Sequence, residues 1–188
     1  MSSHPRTALL SPEEYLEAER RAETKHEYWG GEIVALAGAS ERHNLVVANL
    51  IVALGAQLRR SPCRAYPSDL RVRTRPDHYL YPDVTVVCGE SRLADERRDV
   101  LLNPTLIVEV LSPSTETRDR TDKLDQYRKV PTLRDFLLVS QDARRIQRYA
   151  RREGDFWLFS ETTEAGAVLQ LDSIGCTLAL DDVYDRVA

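Results

Sequence analysis

Two acids interrupt the most apolar stretches of this chain. Asp83 stands in Tyr-Pro-Asp-Val-Thr-Val-Val and Glu109 in Leu-Ile-Val-Glu-Val-Leu. A carboxylate inside a buried strand is costly unless it is paired, hydrogen-bonded or bound to a cation. Two such acids on neighbouring central strands can converge at one strand end. Hard oxygen donors of that kind suit Mg²⁺ (or Mn²⁺), which takes one or two carboxylates and keeps several waters. The carbonyl of Val110, on the same strand as Glu109, is a natural further ligand. An ion so held lowers the pKa of a bound water and polarises a phosphate oxygen, which is what phosphodiester hydrolysis requires. The plainer reading is that each acid faces solvent at a strand end or pairs with an arginine.

Other residues could join that chemistry. His43 falls in the first turn of a helix, where it either touches a phosphate or water or is an ordinary first-turn residue. Arg71, Arg73, Arg75, Arg118 and Arg120 flank the acids in sequence and could form a rim that tracks phosphates. A charged edge strand that resists aggregation accounts equally well for the first three. His26 and His78 have no metal-ligand spacing.

The elements that must position these residues can be read from pattern. Ser11-Pro12-Glu13-Glu14 starts a helix reaching about Thr24. Tyr28 and Trp29, Gly30-Gly31 and Glu32 to Leu36 form a hairpin. Ser40 caps a second helix through about Arg60, apolar over most of its circumference and so well buried. Leu70, Val72 and Thr74 alternate with Arg71, Arg73 and Arg75, a half-exposed strand with a basic outer face. Tyr81–Cys88 and Thr105–Leu111 suit central strands buried on both faces. The charged link from Gly89 to Asp99 is a loop or short helix, and Ser114–Lys129 is a helix stopped by Pro131. Phe136–Val139, Ile146–Tyr149 and Phe156–Phe159 make a meander with Gly154 in a turn, and the tail after Ser173 is short strand and loop. This order predicts an α/β fold with a mixed sheet flanked by helices. The expected layout is one domain over residues 11–188 behind a disordered or extended stretch at 1–10.

Composition narrows the class. The chain has 188 residues, 42% hydrophobic and 30% charged, as in folded globular proteins. Its net charge of −4 argues against coating nucleic acid by bulk charge. A local basic groove remains compatible with it. Cys63, Cys88 and Cys176 are odd in number and widely separated, with no CxxC pair. Neither a zinc ribbon nor a disulfide framework is expected, and Cys88 reads as a buried thiol. No stretch is long enough to span a bilayer and no signal peptide is evident, which places the chain in the cytoplasm.

Tyr-Pro-Asp-Val, Asn-Pro-Thr-Leu-Ile-Val-Glu-Val-Leu-Ser-Pro-Ser-Thr and Asp-Lys-Leu-Asp-Gln-Tyr together closely resemble the Uma2-like family, formerly a domain of unknown function. The resemblance runs from about Ser11 to Asp182 and includes Glu27, with its glycine-containing hairpin, and His43. It implies the restriction-endonuclease-like PD-(D/E)XK fold, with Asp83 and Glu109 as the metal-binding acids and Glu27 as a third acid. The motif's lysine, two positions after Glu109, is replaced by Leu111. Lys123, on the following helix, is the nearest substitute; otherwise it forms an i, i+4 pair with Asp119 on a solvated face. Tyr127 shares the Lys123 face and either hydrogen-bonds near the metal or packs. The expected function is a Mg²⁺-dependent endonuclease acting on DNA. The alternative is a weak or inactive nuclease-fold binding or regulatory module. A homodimer is the expected assembly.

Overall fold

The computed structural model describes residues 9–113, 115–153 and 156–187. Most of the stretch expected to be disordered or extended, residues 1–8, lies outside them. The first helix, α1 (Pro12–Glu19), starts where its sequence says it should. The Ser11 hydroxyl accepts from the Glu14 N–H at 3.2 Å, and the Glu14 carboxylate accepts from the Ser11 N–H at 2.8 Å, a reciprocal capping box. The helix stops short of Thr24 because Glu19 has other partners. Its carboxylate accepts from the His26 N–H at 2.8 Å and from the Tyr81 hydroxyl at 3.0 Å. That folds the chain back into the hairpin β1 (His26–Trp29) and β2 (Glu32–Ala35). The turn rests on Gly31 at φ +109°, where a side chain would lie 2.8 Å from Leu9.

Ser40 caps α2 (Glu41–Leu58), accepting from the His43 N–H at 3.1 Å. Five strands follow: β3 (Cys63–Pro67), β4 (Arg71–Arg75), β5 (His78–Leu80), β6 (Val84–Cys88) and β7 (Val100–Leu101). After β8 (Leu106–Leu111) comes a helical rod of three pieces, α3 (Glu116–Arg118), a π turn (Asp119–Lys123) and α4 (Leu124–Arg128). Next are β9 (Asp135–Ser140), β10 (Ile146–Arg151), β11 (Trp157–Thr162), β12 (Val168–Leu171), β13 (Cys176–Ala179) and α5 (Leu180–Val183).

The larger sheet has the order β11-β10-β9-β8-β6-β3, with β8 and β9 parallel and the other neighbours antiparallel. A second sheet has the order β2-β1-β5-β4-β7, and β12 pairs with β13. Side-chain alternation along β8 sorts the core into two layers. Val108 and Val110 face α2, packing with Val46, Leu50 and Leu54. Ile107 and Leu111 face the opposite way, toward Tyr127, Phe136 and the second sheet's Val72 and Leu80. The result is an α/β fold, a mixed sheet flanked by helices.

Several expectations are corrected. Helix α2 buries one stripe, Val46, Leu50, Leu54 and Leu58, while Val52 is 71% exposed. Strand β4 is an interior strand between β5 and β7, and Arg71 is buried against Asp99 rather than facing outward. The stretch read as one helix from Ser114 is interrupted by the π turn, and Ser114, like Gly154, lies outside the described residues. Cys63 and Cys88 are register partners across antiparallel β3 and β6 and form a disulfide. Cys88 is therefore not a free thiol. The bond closes a separation of 25 residues. Adding a thiol reductant is expected to lower stability by about 3 kcal/mol, the loop-closure value for such a length. The readout is the thermal midpoint, and a Cys63→Ser variant that melts with the oxidised wild type would show that the bond contributes nothing.

Candidate active site

Asp83 and Glu109 come from adjacent strands. Val84 pairs with Val108 across antiparallel β6 and β8, so the register carried one step further sets Asp83 opposite Glu109. Glu109 points with Ile107 and Leu111 to the face away from α2 and is 3% exposed. Asp83 precedes β6, and its Oδ2 accepts from the Val110 N–H at 2.7 Å. The same oxygen lies 3.3 Å from His43 Nε2, at the start of α2.

Lys123 is the hub of the site. Its Nζ lies 3.1 Å from Glu109 Oε1, 3.1 Å from Glu27 Oε1 and 3.2 Å from Asp119 Oδ1. The Tyr127 hydroxyl donates to Glu109 Oε1 at 2.6 Å. Lys123 and Asp119 are thus a buried pair, not a solvated helix face. The wider π turn presents both of its ends, Asp119 and Lys123, to the sheet, and α4 then adds Tyr127 one turn on. Such turns are frequent at functional sites. Glu27, on β1, is held from the other side: its Oε2 accepts from Trp29 Nε1 at 3.2 Å and its Oε1 from the Tyr81 N–H at 3.4 Å.

Three carboxyl groups, Glu109, Glu27 and Asp119, therefore surround one ammonium, and Asp83 acts on it from further away. Burial pushes the Glu109 carboxyl well above the usual carboxylate range; Lys123 opposes this, while Asp119, Asp83 and Glu27 add to it. Asp119 is raised by burial too, with Lys123 again opposing. Burial alone would lower Lys123, but Glu109, Glu27 and Asp119 hold it well above the ordinary lysine value, so it stays charged. The Tyr127 hydroxyl, raised by burial and by Glu109, remains a donor. In formal charge, counting each acid as ionised, the four carboxyls outweigh the single Lys123 ammonium.

That surplus, with its hard oxygen donors, fits a divalent cation. Asp119 Oδ1 is buried and meets only the Lys123 ammonium, at 3.2 Å. Among the described residues no three His, Cys, Asp or Glu side chains form a ready-made chelating group. An ion here would be held by Asp83, Glu109 and the Val110 carbonyl, with water completing its shell, as Mg²⁺ sites commonly are.

The basic rim only partly assembles. Arg118 stacks on the Trp29 ring at 4.2 Å, beside Glu27. Arg71 is buried with Asp99, Arg75 pairs with Asp77, and Arg120 is bound to Glu116 and Gln147. Sequence reasoning did not assign Asp119 to the site. The signal was available: Asp119, Lys123 and Tyr127 follow one another at intervals of four.

The model of the Uma2 family, described as "Putative restriction endonuclease", matches residues 12–181. "Uncharacterized protein slr1290" of Synechocystis sp. (strain ATCC 27184 / PCC 6803 / Kazusa) is 38% identical, over 95% of this chain and 93% of its own. "Uncharacterized protein sll1609" of the same organism is 34% identical, over 87% of this chain and 93% of its own. A crystal structure from Anabaena variabilis ATCC 29413, of "a putative nuclease belonging to DUF820", superposes with a TM-score of 0.78 at 19% identity, covering 95% of this chain and 99% of that one. That likeness shows that the two chains share one fold. No helix among the described residues is long and apolar enough to cross a membrane. With the family model matching residues 12–181 and relatives matched over most of their length, the chain belongs to the Uma2 family.

Proposed function

We propose that this chain is a divalent-metal-dependent endonuclease hydrolysing phosphodiester bonds of DNA in the cytoplasm. Asp83, Glu109 and the Val110 carbonyl would hold Mg²⁺ or Mn²⁺, with Lys123 and Glu27 as the further catalytic groups. The observation that carries the reading is the buried meeting of Glu109, Glu27 and Asp119 on Lys123 Nζ. A scaffold has no need of so costly a cluster, and the family's description, "Putative restriction endonuclease", agrees with it. When bound, the cation activates water and polarises a phosphate oxygen.

The chain's own residues do the rest. Tyr127 fixes Glu109 through its 2.6 Å hydrogen bond. Lys123 keeps its charge and supplies a donor to the oxygen that gains charge in the transition state. Glu27, anchored by the Trp29 indole, holds Lys123 from the side of β1. Arg118, stacked on Trp29, supplies positive charge at the rim for a neighbouring phosphate. The proposed assembly is a homodimer, for which Leu158 and Phe159 on the outer strand β11 expose apolar surface.

One observation favours a second reading, a nuclease-fold binding or regulatory module without turnover. Leu111 stands where the motif's lysine would be, and Lys123 is already engaged by three carboxylates. Nicking of supercoiled plasmid in Mn²⁺ decides between them. Wild type is expected to nick slowly but above Asp83→Ala and above a chelator control. Equal rates for wild type and Asp83→Ala would end the DNA-cleaving reading and leave the module.

A further inference from the structure

We propose that His43 is a ligand of the metal, its Nε2 completing a donor set with Asp83 and the Val110 carbonyl, and that it shifts the site's preference from Mg²⁺ toward Mn²⁺. This rests on the metal-binding reading above. The imidazole nitrogen stands 3.3 Å from Asp83 Oδ2. A charge-assisted hydrogen bond between such groups is normally about 2.7–2.9 Å. Two donors bound to one ion at about 2.1 Å, and spread by roughly 90–110°, lie about 3.0–3.4 Å apart. The observed 3.3 Å matches the spacing of two donors on one cation as well as it matches a long hydrogen bond.

The backbone supplies the third donor. The Val110 N–H is turned to Asp83, and in a strand the carbonyl of the same residue leaves on the same edge. Asp83, His43 and Val110 therefore bound one point beside Glu109, whose contacts with Lys123 and Tyr127 both fall on Oε1.

The position of His43 is fixed rather than incidental. Ser40 accepts from the His43 N–H at 3.1 Å and donates to Gln141 Oε1 at 2.8 Å, which pins the start of α2 to the chain just beyond β9. The side chain is 13% exposed. Its Nδ1 is buried with no hydrogen-bond partner among the described residues, so nothing strengthens the imidazole as a donor. Its contribution to affinity should accordingly be moderate. Imidazole favours transition metals, whereas Mg²⁺ favours oxygen and gives up water reluctantly. Loss of His43 should thus weaken Mn²⁺ far more than Mg²⁺.

The test uses the whole chain with Mn²⁺ or Mg²⁺ alone as the probe. Titration calorimetry gives both affinities for wild type, His43→Gln and Asp83→Asn. Pulsed electron paramagnetic resonance of bound Mn²⁺ reads directly coordinated ¹⁴N. Wild type is expected to show ¹⁴N coupling that His43→Gln lacks. The variant's Mn²⁺ affinity should fall about tenfold or more, with Mg²⁺ affinity changed by less than about threefold. Mn²⁺ bound by wild type without ¹⁴N coupling would overturn the proposal and leave the metal site standing. Coupling that persists in His43→Gln would overturn it equally. Failure of wild type to bind either ion would instead refute the metal site itself. If His43→Gln does not fold, the presence or absence of ¹⁴N coupling in wild type is decisive by itself.

Discussion

Lys123→Ala is expected to be the most damaging single substitution in the metal-free protein, lowering stability by about 3–5 kcal/mol. The ammonium is held by Glu109, Glu27 and Asp119 at 3.1–3.2 Å in the interior. Removing it leaves those carboxylates buried against one another. Breaking a buried pair costs more than the pair was worth, because the remaining charge has no compensation. For a chain of this size, each kcal/mol moves the thermal midpoint by about 2–4 °C, so the fall should be roughly 6–20 °C. Lys129→Ala is the control. Its ion pair with Asp125 is on the surface, and its loss should move stability by no more than about 0.5 kcal/mol. Mn²⁺ should restore part of the Lys123→Ala deficit, since it brings back positive charge near the same acids. Plasmid nicking should drop about 10²-fold or more, as when one transition-state donor is lost. A Lys123→Ala protein that melts with wild type would mean the ammonium is not embedded among the carboxylates.

What the sequence reveals and conceals follows from which forces are local. Asp83 and Glu109 stand out because an acid inside an apolar run is visible without a partner. That they would be adjacent required only that their runs be neighbouring strands, and β6 and β8 are. Lys123 and Asp119 were ambiguous, because an i, i+4 pair looks the same on a solvated face as in a site. The arbiter is tertiary: Tyr127 is covered by Phe136, with ring centroids 5.2 Å apart, and this turns the helix face inward. The disulfide was hidden because β3 carries no strong strand pattern, and its register with β6 alone brings Cys63 to Cys88. Arg71 misled for a related reason. Alternation along β4 suggested a basic outer face, but Asp99 meets Arg71 from a distant loop and permits its burial. The early end of α1 likewise depends on Glu19 finding His26 and Tyr81, contacts that no helix propensity encodes.

Asp83→Asn should separate metal binding from folding most cleanly, because it removes a charge while leaving the shape. The asparagine carbonyl can still accept from the Val110 N–H, now 2.7 Å from Asp83 Oδ2. The lost charge also eases repulsion on Glu109 and Asp119, both of which feel Asp83. The metal-free variant should therefore melt close to wild type, within about 1 kcal/mol. Its response to metal should be quite different. At 100 times the dissociation constant, an ion that binds only the native state stabilises it by about 2.7 kcal/mol, or roughly 5–11 °C in thermal midpoint. Wild type should show that rise in Mn²⁺, and Asp83→Asn should not, because Glu109, already engaged by Lys123 and Tyr127, is then the one anionic donor left in the proposed set. Nicking should fall to the level of the chelator control. With Ca²⁺ in place of Mn²⁺, wild-type affinity for a DNA duplex should fall as salt rises, with a slope set by the number of phosphate contacts. A thermal rise in Mn²⁺ that is the same in wild type and Asp83→Asn would place the ion away from β6. The hydrolytic centre would then have to be sought elsewhere in the chain.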